Sequence, residues 1–250
     1  VYCWGSDMNG QLGIGFNVPI MFSTPLSIAT ATLPPATVFT SVAVGNQYTC
    51  ALTAAGEVYC WGSNDVGQLG DGSLSPHPTP TLVSTVGLAP GTTFTSVSAG
   101  RRHACATTAG GDIYCWGSND AGQLGDGSAI DRSVPTKVTA GGTPPGTRFA
   151  SVAAGGQHTC ALTTDGSAYC WGNSYYGQLG NGTTTESYVP VTVSGLSGAT
   201  AISAGGVFTC ALLANGTVKC WGSDCYGQLG LGDSRGGYWD IPDAVVVGLD

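Results

Sequence analysis

Trp61-Gly-Ser-Asn-Asp-Val-Gly-Gln-Leu-Gly70 recurs in nearly the same letters four more times in this chain, beginning at Trp4, Trp116, Trp171 and Trp221. Those copies read WGSDMNGQLG, WGSNDAGQLG, WGNSYYGQLG and WGSDCYGQLG, and successive tryptophans lie 57, 55, 55 and 50 residues apart. A unit of that length cannot bury its own apolar faces and must stack on its neighbours. Residues 1–250 are therefore expected to form a single repeat array rather than independent domains.

Outward from the motif, each repeat divides into four short β-rich runs. Phe39-Thr-Ser-Val-Ala-Val-Gly45 ends in glycine; Tyr48-Thr-Cys-Ala-Leu-Thr53 and Glu57-Val-Tyr-Cys-Trp61 flank the turn Ala54-Ala-Gly56. Two such runs around a three-residue, glycine-containing loop predict a hairpin. Beyond the Gln-Leu-Gly loop a fourth strand is expected, led by Pro25, Pro80, Pro135, Pro190 and Pro242. A residue without an amide donor suits a strand start or an edge. Four antiparallel strands per repeat make a propeller blade, so the expected fold is an all-β propeller. Third and fourth strands occur five times, first and second strands four times. That makes about four and a half blades, the first one incomplete and its edge open to pairing.

The unit Phe-Thr-Ser-Val-x-Ala-Gly-x-x-His-x-Cys-Ala-Leu-Thr-x-x-Gly-x-x-Tyr-Cys-Trp-Gly, closed by Gly-Gln-Leu-Gly, resembles the regulator-of-chromosome-condensation repeat over essentially the whole chain. The resemblance implies a β-propeller, usually seven-bladed, with the innermost strands lining a central channel. Within it, Trp61 wedges one blade against the next, Leu69 packs between blades, and Gln68 bonds the loop's backbone.

Charged residues are scarce, at 9%, and seven basic against 15 acidic residues give a net charge of −8. Phosphate-backbone binding needs clustered Lys and Arg, and Arg101-Arg102 is the only adjacent basic pair. Nucleic acid is not an expected partner. No apolar run reaches 18 residues, so membrane insertion is not expected either. Val1 opens inside a motif, with neither an initiator Met nor a signal peptide, which reads as a processed product or an excerpt.

Eight of the ten cysteines form pairs ten residues apart: Cys50 with Cys60, Cys105 with Cys115, Cys160 with Cys170, and Cys210 with Cys220. Each pair brackets a centred turn, placing the thiols opposite each other on neighbouring strands. Disulfides fit that geometry; free buried thiols are an alternative, and a metal site would lack ligands with two thiolates per hairpin. Closing such a loop stabilises by up to ~2–3 kcal/mol, and disulfides imply an oxidising, extracellular or cell-surface setting. Cys3 holds a second-member position without its partner, and Cys225 lies in the last Gln-Leu-Gly loop. The two are expected to pair with each other, with another chain, or not at all.

No nucleophile elbow, phosphate loop or His-Glu-x-x-His motif is present, and neither a catalytic residue, a metal site nor a cofactor is expected. His103 and His158 share one repeat position and read as packed strand residues; His77 reads as an exposed loop residue. Asp71-Gly-Ser and Asp126-Gly-Ser read as turns closed by their own carboxylates, too poor in oxygen ligands for calcium. The terminal repeats depart most. Where internal repeats are polar, the first has Phe16, Ile20, Met21 and Phe22 and the last has Tyr238 and Trp239. Apolar groups at array ends, where polar caps are the rule, predict an interface. The expected function is a non-enzymatic extracellular scaffold or interaction module whose partners are copies of itself or parts of a larger chain. The alternative is a secreted recognition propeller that grips a protein with its loop face, as a bacterial β-lactamase inhibitor of the same repeat family does.

Overall fold

The computed structural model describes residues 1–232 and 237–245, without the side chains of 243–245. Residues 233–236, in the loop before the closing strand, and residues 246–250 after it lie outside the described residues. The first sheet has two strands, β1 (Tyr2–Ser6) and β2 (Met21–Ser27). Four four-stranded sheets follow. They comprise β3 (Phe39–Val44), β4 (Tyr48–Thr53), β5 (Val58–Gly62) and β6 (His77–Leu82); β7 (Phe94–Ala99), β8 (His103–Thr108), β9 (Ile113–Gly117) and β10 (Arg132–Lys137); β11 (Phe149–Ala154), β12 (His158–Thr163), β13 (Ala168–Gly172) and β14 (Ser187–Thr192); and β15 (Ala199–Ala204), β16 (Phe208–Leu213), β17 (Val218–Ser223) and β18 (Tyr238–Val245). Each is antiparallel with its strands in sequence order. The all-β propeller architecture is as expected.

The two middle strands of an internal blade are buried along their whole length, as in β4, β5, β8 and β9. Alternate side chains face opposite sides of a strand, so full burial means that blades cover both faces. Within each hairpin the two cysteines stand directly opposite one another. Cys50 faces Cys60, Cys105 faces Cys115, Cys160 faces Cys170 and Cys210 faces Cys220. The pairs Cys50–Cys60, Cys105–Cys115, Cys160–Cys170 and Cys210–Cys220 are all disulfides with Cα atoms 4.1 Å apart. That is close to the spacing of a non-hydrogen-bonded antiparallel pair, and of the alternatives left open at these eight positions the structure adopts the disulfide, not the free thiol. Cys3 and Cys225 are free and do not pair with each other.

The prolines do not lead their strands. Pro80 is the fourth residue of β6, at a break in register where pairing skips from Gly62–His77 to Cys60–Thr81. Pro135 and Pro190 repeat this placement. The outermost strand tolerates proline because part of its amide row faces no partner.

The blades are joined by one recurrent contact. The indole nitrogen of Trp116 donates to the main-chain carbonyl of Gln68 in the preceding Gln-Leu-Gly loop, 3.0 Å away. Trp61, Trp171 and Trp221 do the same to Gln11, Gln123 and Gln178 at 2.9–3.0 Å. All four indoles are fully buried. The Gln side chain holds the seat in shape: Gln68 accepts from the Val66 amide at 3.0 Å and donates to Asp65 at 3.0 Å. The glycine after Leu forms its floor. A Cβ on Gly125, at φ +69°, would stand 2.7 Å from the Trp171 ring, and Gly13, Gly70 and Gly180 meet their indoles as closely.

Substituting Gly125→Ala should therefore lower stability by more than the left-handed backbone alone accounts for. Gly127→Ala, at φ +82° with its nearest neighbour 3.9 Å away, isolates the backbone part, about 1–2 kcal/mol. Gly125→Ala should add a further ~1–3 kcal/mol of overpacking, read as a lower Tm in thermal melts of the two variants.

Candidate interaction site

Behind the indole seat runs a second inter-blade contact. Thr159 Oγ1 donates to the Gln123 carbonyl at 2.7 Å, and His103 Nε2 lies 2.9 Å from the same Oγ1. The threonine proton is committed to Gln123, so the imidazole must be the donor, with its proton on Nε2. His158, Thr209 and Gln178 repeat the chain one blade on. Both histidines are fully buried strand residues, as expected, with Nδ1 unpartnered among the described residues. Burial, and secondarily the neighbouring His158, pushes His103 down to about 3, and burial pushes His158 down to about 4.

The contact fails at both ends of the array. Trp4 is 62% exposed although its four counterparts are fully buried, because no Gln-Leu-Gly loop receives it among the described residues. At the other end the loop around Gln228 and Leu229 receives no tryptophan among the described residues. One end thus presents a plug and the other a seat that no tryptophan fills among the described residues. The inner strands show the same asymmetry. Val42 and Val44 of β3 are exposed, whereas Val152 and Ala154, their equivalents on β11, are buried.

Phe16, Ile20, Met21, Tyr238 and Trp239 are all exposed, and Phe22 is half-buried. Four of them lie on strands rather than in loops: Met21 and Phe22 open β2, and Tyr238 and Trp239 open β18. Phe22 and Trp239 face Gly5 and Gly222, the register position taken internally by His77, Arg132 and Ser187. His77 is accordingly a strand residue paired with Asp71 at 2.9 Å, not an exposed loop histidine, and Arg132 pairs with Asp126 at 2.7 Å. Those aspartates also accept from the Ser73 and Ser128 amides, as expected. Where two internal repeats place an acid and a base, Asp71 with His77 and Asp126 with Arg132, and the third places Asn181 and Ser187, the first repeat has Ile14 and Phe22 and the last has Leu231 and Trp239. The end repeats thus carry apolar side chains at two positions that are polar in all three internal repeats.

A third feature lies on the loop face, where two adjacent tyrosines are the only signal visible in the sequence. A cleft of about 350 Å³ is lined by Arg101, Gln157, Asn173, Tyr175, Tyr176 and Val207. Tyr175 and Tyr176 meet edge to face at 4.9 Å, and Tyr226, one repeat on, is 93% exposed. Arg102, beside Arg101, is held by Asp65.

The buried histidines make stability depend on pH. Their folded pKa values lie below the ordinary value of about 6.5, so the unfolded chain binds more protons below that pH and stability falls as pH falls. Between pH 6.5 and 5 the loss should be about 1–2 kcal/mol per histidine. Hydrogen bonds from Gln68 and Gln123 hold Asp65 and Asp120 below the carboxylate range, so their contribution is lost only below about pH 4. The double variant His103→Phe, His158→Phe, copying Phe208, should flatten the Tm profile between pH 7 and 5.

Comparison with known proteins agrees with this geometry. The model of the RCC1-like domain matches residues 1–247. The ultraviolet-B receptor UVR8 of Arabidopsis thaliana is 36% identical over 197 residues, covering 79% of this chain and 42% of the receptor. The human E3 ubiquitin-protein ligase HERC2 is 33% identical over 202 residues, 79% of this chain and 4% of the ligase. The structure of Prp20p from Saccharomyces cerevisiae superposes with a TM-score of 0.84 at 27% identity, covering all of this chain and 59% of that one. The chain thus spans less than half the length of these sequence relatives. With five stacked repeats, indoles seated in Gln-Leu-Gly loops and a family match along nearly its whole length, the chain belongs to the RCC1-like β-propeller family.

Proposed function

We propose that this propeller is a non-enzymatic interaction module of an oxidising, extracellular or cell-surface setting, and that its two unlike ends are its principal binding surfaces. The observation that carries this reading is the presence of an unseated plug, Trp4, at one end and, at the other, a seat at Gln228–Leu229 that no tryptophan fills among the described residues. Each would satisfy the other in a head-to-tail contact, which joins unlike surfaces and propagates into a filament unless it closes a ring. Missing blades of a larger chain would meet the same two surfaces. Met21 and Trp239, exposed at the outer strands of those end blades, add apolar area of the kind enriched in interface cores. Four hairpin disulfides support the oxidising setting. Relatives of this fold serve as protein-binding modules: yeast RCC1 (Prp20) has been crystallised bound to Kap60, and the binding of Prp20p to Gsp1p and histones has been described. The net charge of −8 speaks against direct DNA binding.

The second reading, recognition of a protein by the loop face, is favoured by the Arg101–Tyr175–Tyr176 cleft and exposed Tyr226, since Tyr and Arg lead among interface hot spots. Sedimentation velocity across a concentration series separates the two. End-to-end association should give a sedimentation coefficient that rises with concentration, and Trp4→Ser combined with Trp239→Ser should return it to the monomer value with an unchanged β-rich spectrum. A wild-type chain that stays monomeric throughout removes self-assembly and leaves the loop face as the binding surface.

A further inference from the structure

The open first blade specifies more than a contact. One edge of β1 pairs with β2; the other pairs with nothing among the described residues. Beside that free edge lies a groove of about 460 Å³, walled by Tyr2, Cys3 and Trp4 on one side and Val42, Val44 and Thr49 on the other. The register of the complete blades dictates what fits it. Cys3 faces Leu26 on β2 as Cys60 faces Thr81 on β6. Cys60 in turn has Cys50 directly opposite on its other side, and Gly62, the counterpart of Gly5, has Tyr48 opposite. In the next two blades the residue opposite that glycine is histidine, and the cysteine lies two positions on. Thr49 supplies a further point of recognition. Its hydroxyl donates to the Gln11 carbonyl at 2.9 Å, just as Thr159 and Thr209 donate to Gln123 and Gln178. Those two also accept from His103 and His158, whereas nothing donates to Thr49 among the described residues.

We infer that the β1 edge and its groove bind a two-stranded β-segment whose second strand carries His-x-Cys, the histidine donating to Thr49 and the cysteine forming a disulfide with Cys3. This deepens the reading above and rests on its premise that the open first blade is an interaction surface. The partner is identified by its chemistry: an antiparallel strand with a cysteine in register, preceded by a strand whose small apolar side chains cover Val42 and Val44. The bond forms by thiol–disulfide exchange. The Cys3 thiolate attacks the partner cysteine's sulfur in a mixed disulfide with a low-molecular-weight thiol such as glutathione. The new S–S bond replaces the old one, and glutathione leaves as its thiolate, with no net oxidation. Cys3 is half-buried, and burial raises its thiol above the ordinary range, the opposite of an intrinsically reactive cysteine. Selective bonding at Cys3 would therefore report the fit of a strand.

The probe is a synthetic peptide with the sequence of residues 149–163, which carries β11 and β12, prepared as its glutathione mixed disulfide. It should link to Cys3 at least about tenfold faster than to exposed Cys225, by peptide mapping. A second peptide, with the cysteine and the preceding threonine exchanged, points its sulfur to the opposite face and should lose that preference. In the Cys3→Ser chain, the same peptide with serine for cysteine should slow hydrogen exchange of the Tyr2–Ser6 amides by about tenfold or more. Equal or faster reaction at Cys225, equal linkage by the exchanged peptide, or unchanged exchange on β1 each overturns the inference. A chain that self-associates through Trp4 yet ignores the peptide overturns this inference alone, whereas a chain that stays monomeric and binds the peptide in register overturns only end-to-end assembly.

Discussion

The structure depends on one contact: the indole of each repeat enters the Gln-Leu-Gly loop of the repeat before it. Three features make the seat. The Gln main-chain carbonyl accepts the indole proton, the Gln side chain ties the loop to itself, and glycine leaves the space the ring occupies. A buried Trp is worth about 3–5 kcal/mol against Ala, so four such contacts are a large share of what couples blades whose own cores are small. The apolar interior is shared rather than enclosed by any one blade: Leu69, Trp116 and the Cys50–Cys60 hairpin belong to one core that spans two of them.

The contact also has a direction. A plug on one side and a seat on the other give the array unlike ends, so any contact between ends joins different surfaces. The histidine–threonine contacts cross the same junctions in the opposite sense, each histidine reaching the repeat after its own, and they place buried, neutral imidazoles at blade junctions. Acid therefore acts on the joints between blades, while disulfides such as Cys105–Cys115 and Cys160–Cys170 sit within blades. The two kinds of stabilisation address different failures: unstacking and unravelling.

How much of this is legible in the sequence follows from how local each feature is. The hairpins, their disulfide register and the burial of His103 and His158 can be read from spacings of ten residues or fewer and from the repeat itself. A strand-leading role for the prolines reads plausibly but fails, because a register break between two strands has no signature in one of them. An exposed His77 fails for a related reason: its partner Asp71 is near in sequence, but only the outer strand's pairing turns the two toward each other. The apolar residues of the end repeats stand out against their polar counterparts, yet that Phe22 and Trp239 share one position with Arg132 needs the register of β2, β10 and β18. Of the Arg101–Tyr175 cleft the sequence shows only the adjacent pair Tyr175-Tyr176, because the cleft joins residues from separate repeats.

Indole N–H exchange, followed by NMR on the six tryptophan side chains, tests the seating of tryptophans most directly. Trp61, Trp116, Trp171 and Trp221 should exchange slowly, through opening of the blade junctions, while Trp4 and Trp239, at 62% and 42% exposed, should exchange at rates near those of free indole in the monomer. A protected Trp4 in the monomer, or rapid exchange at any of the four seated indoles, would contradict the account.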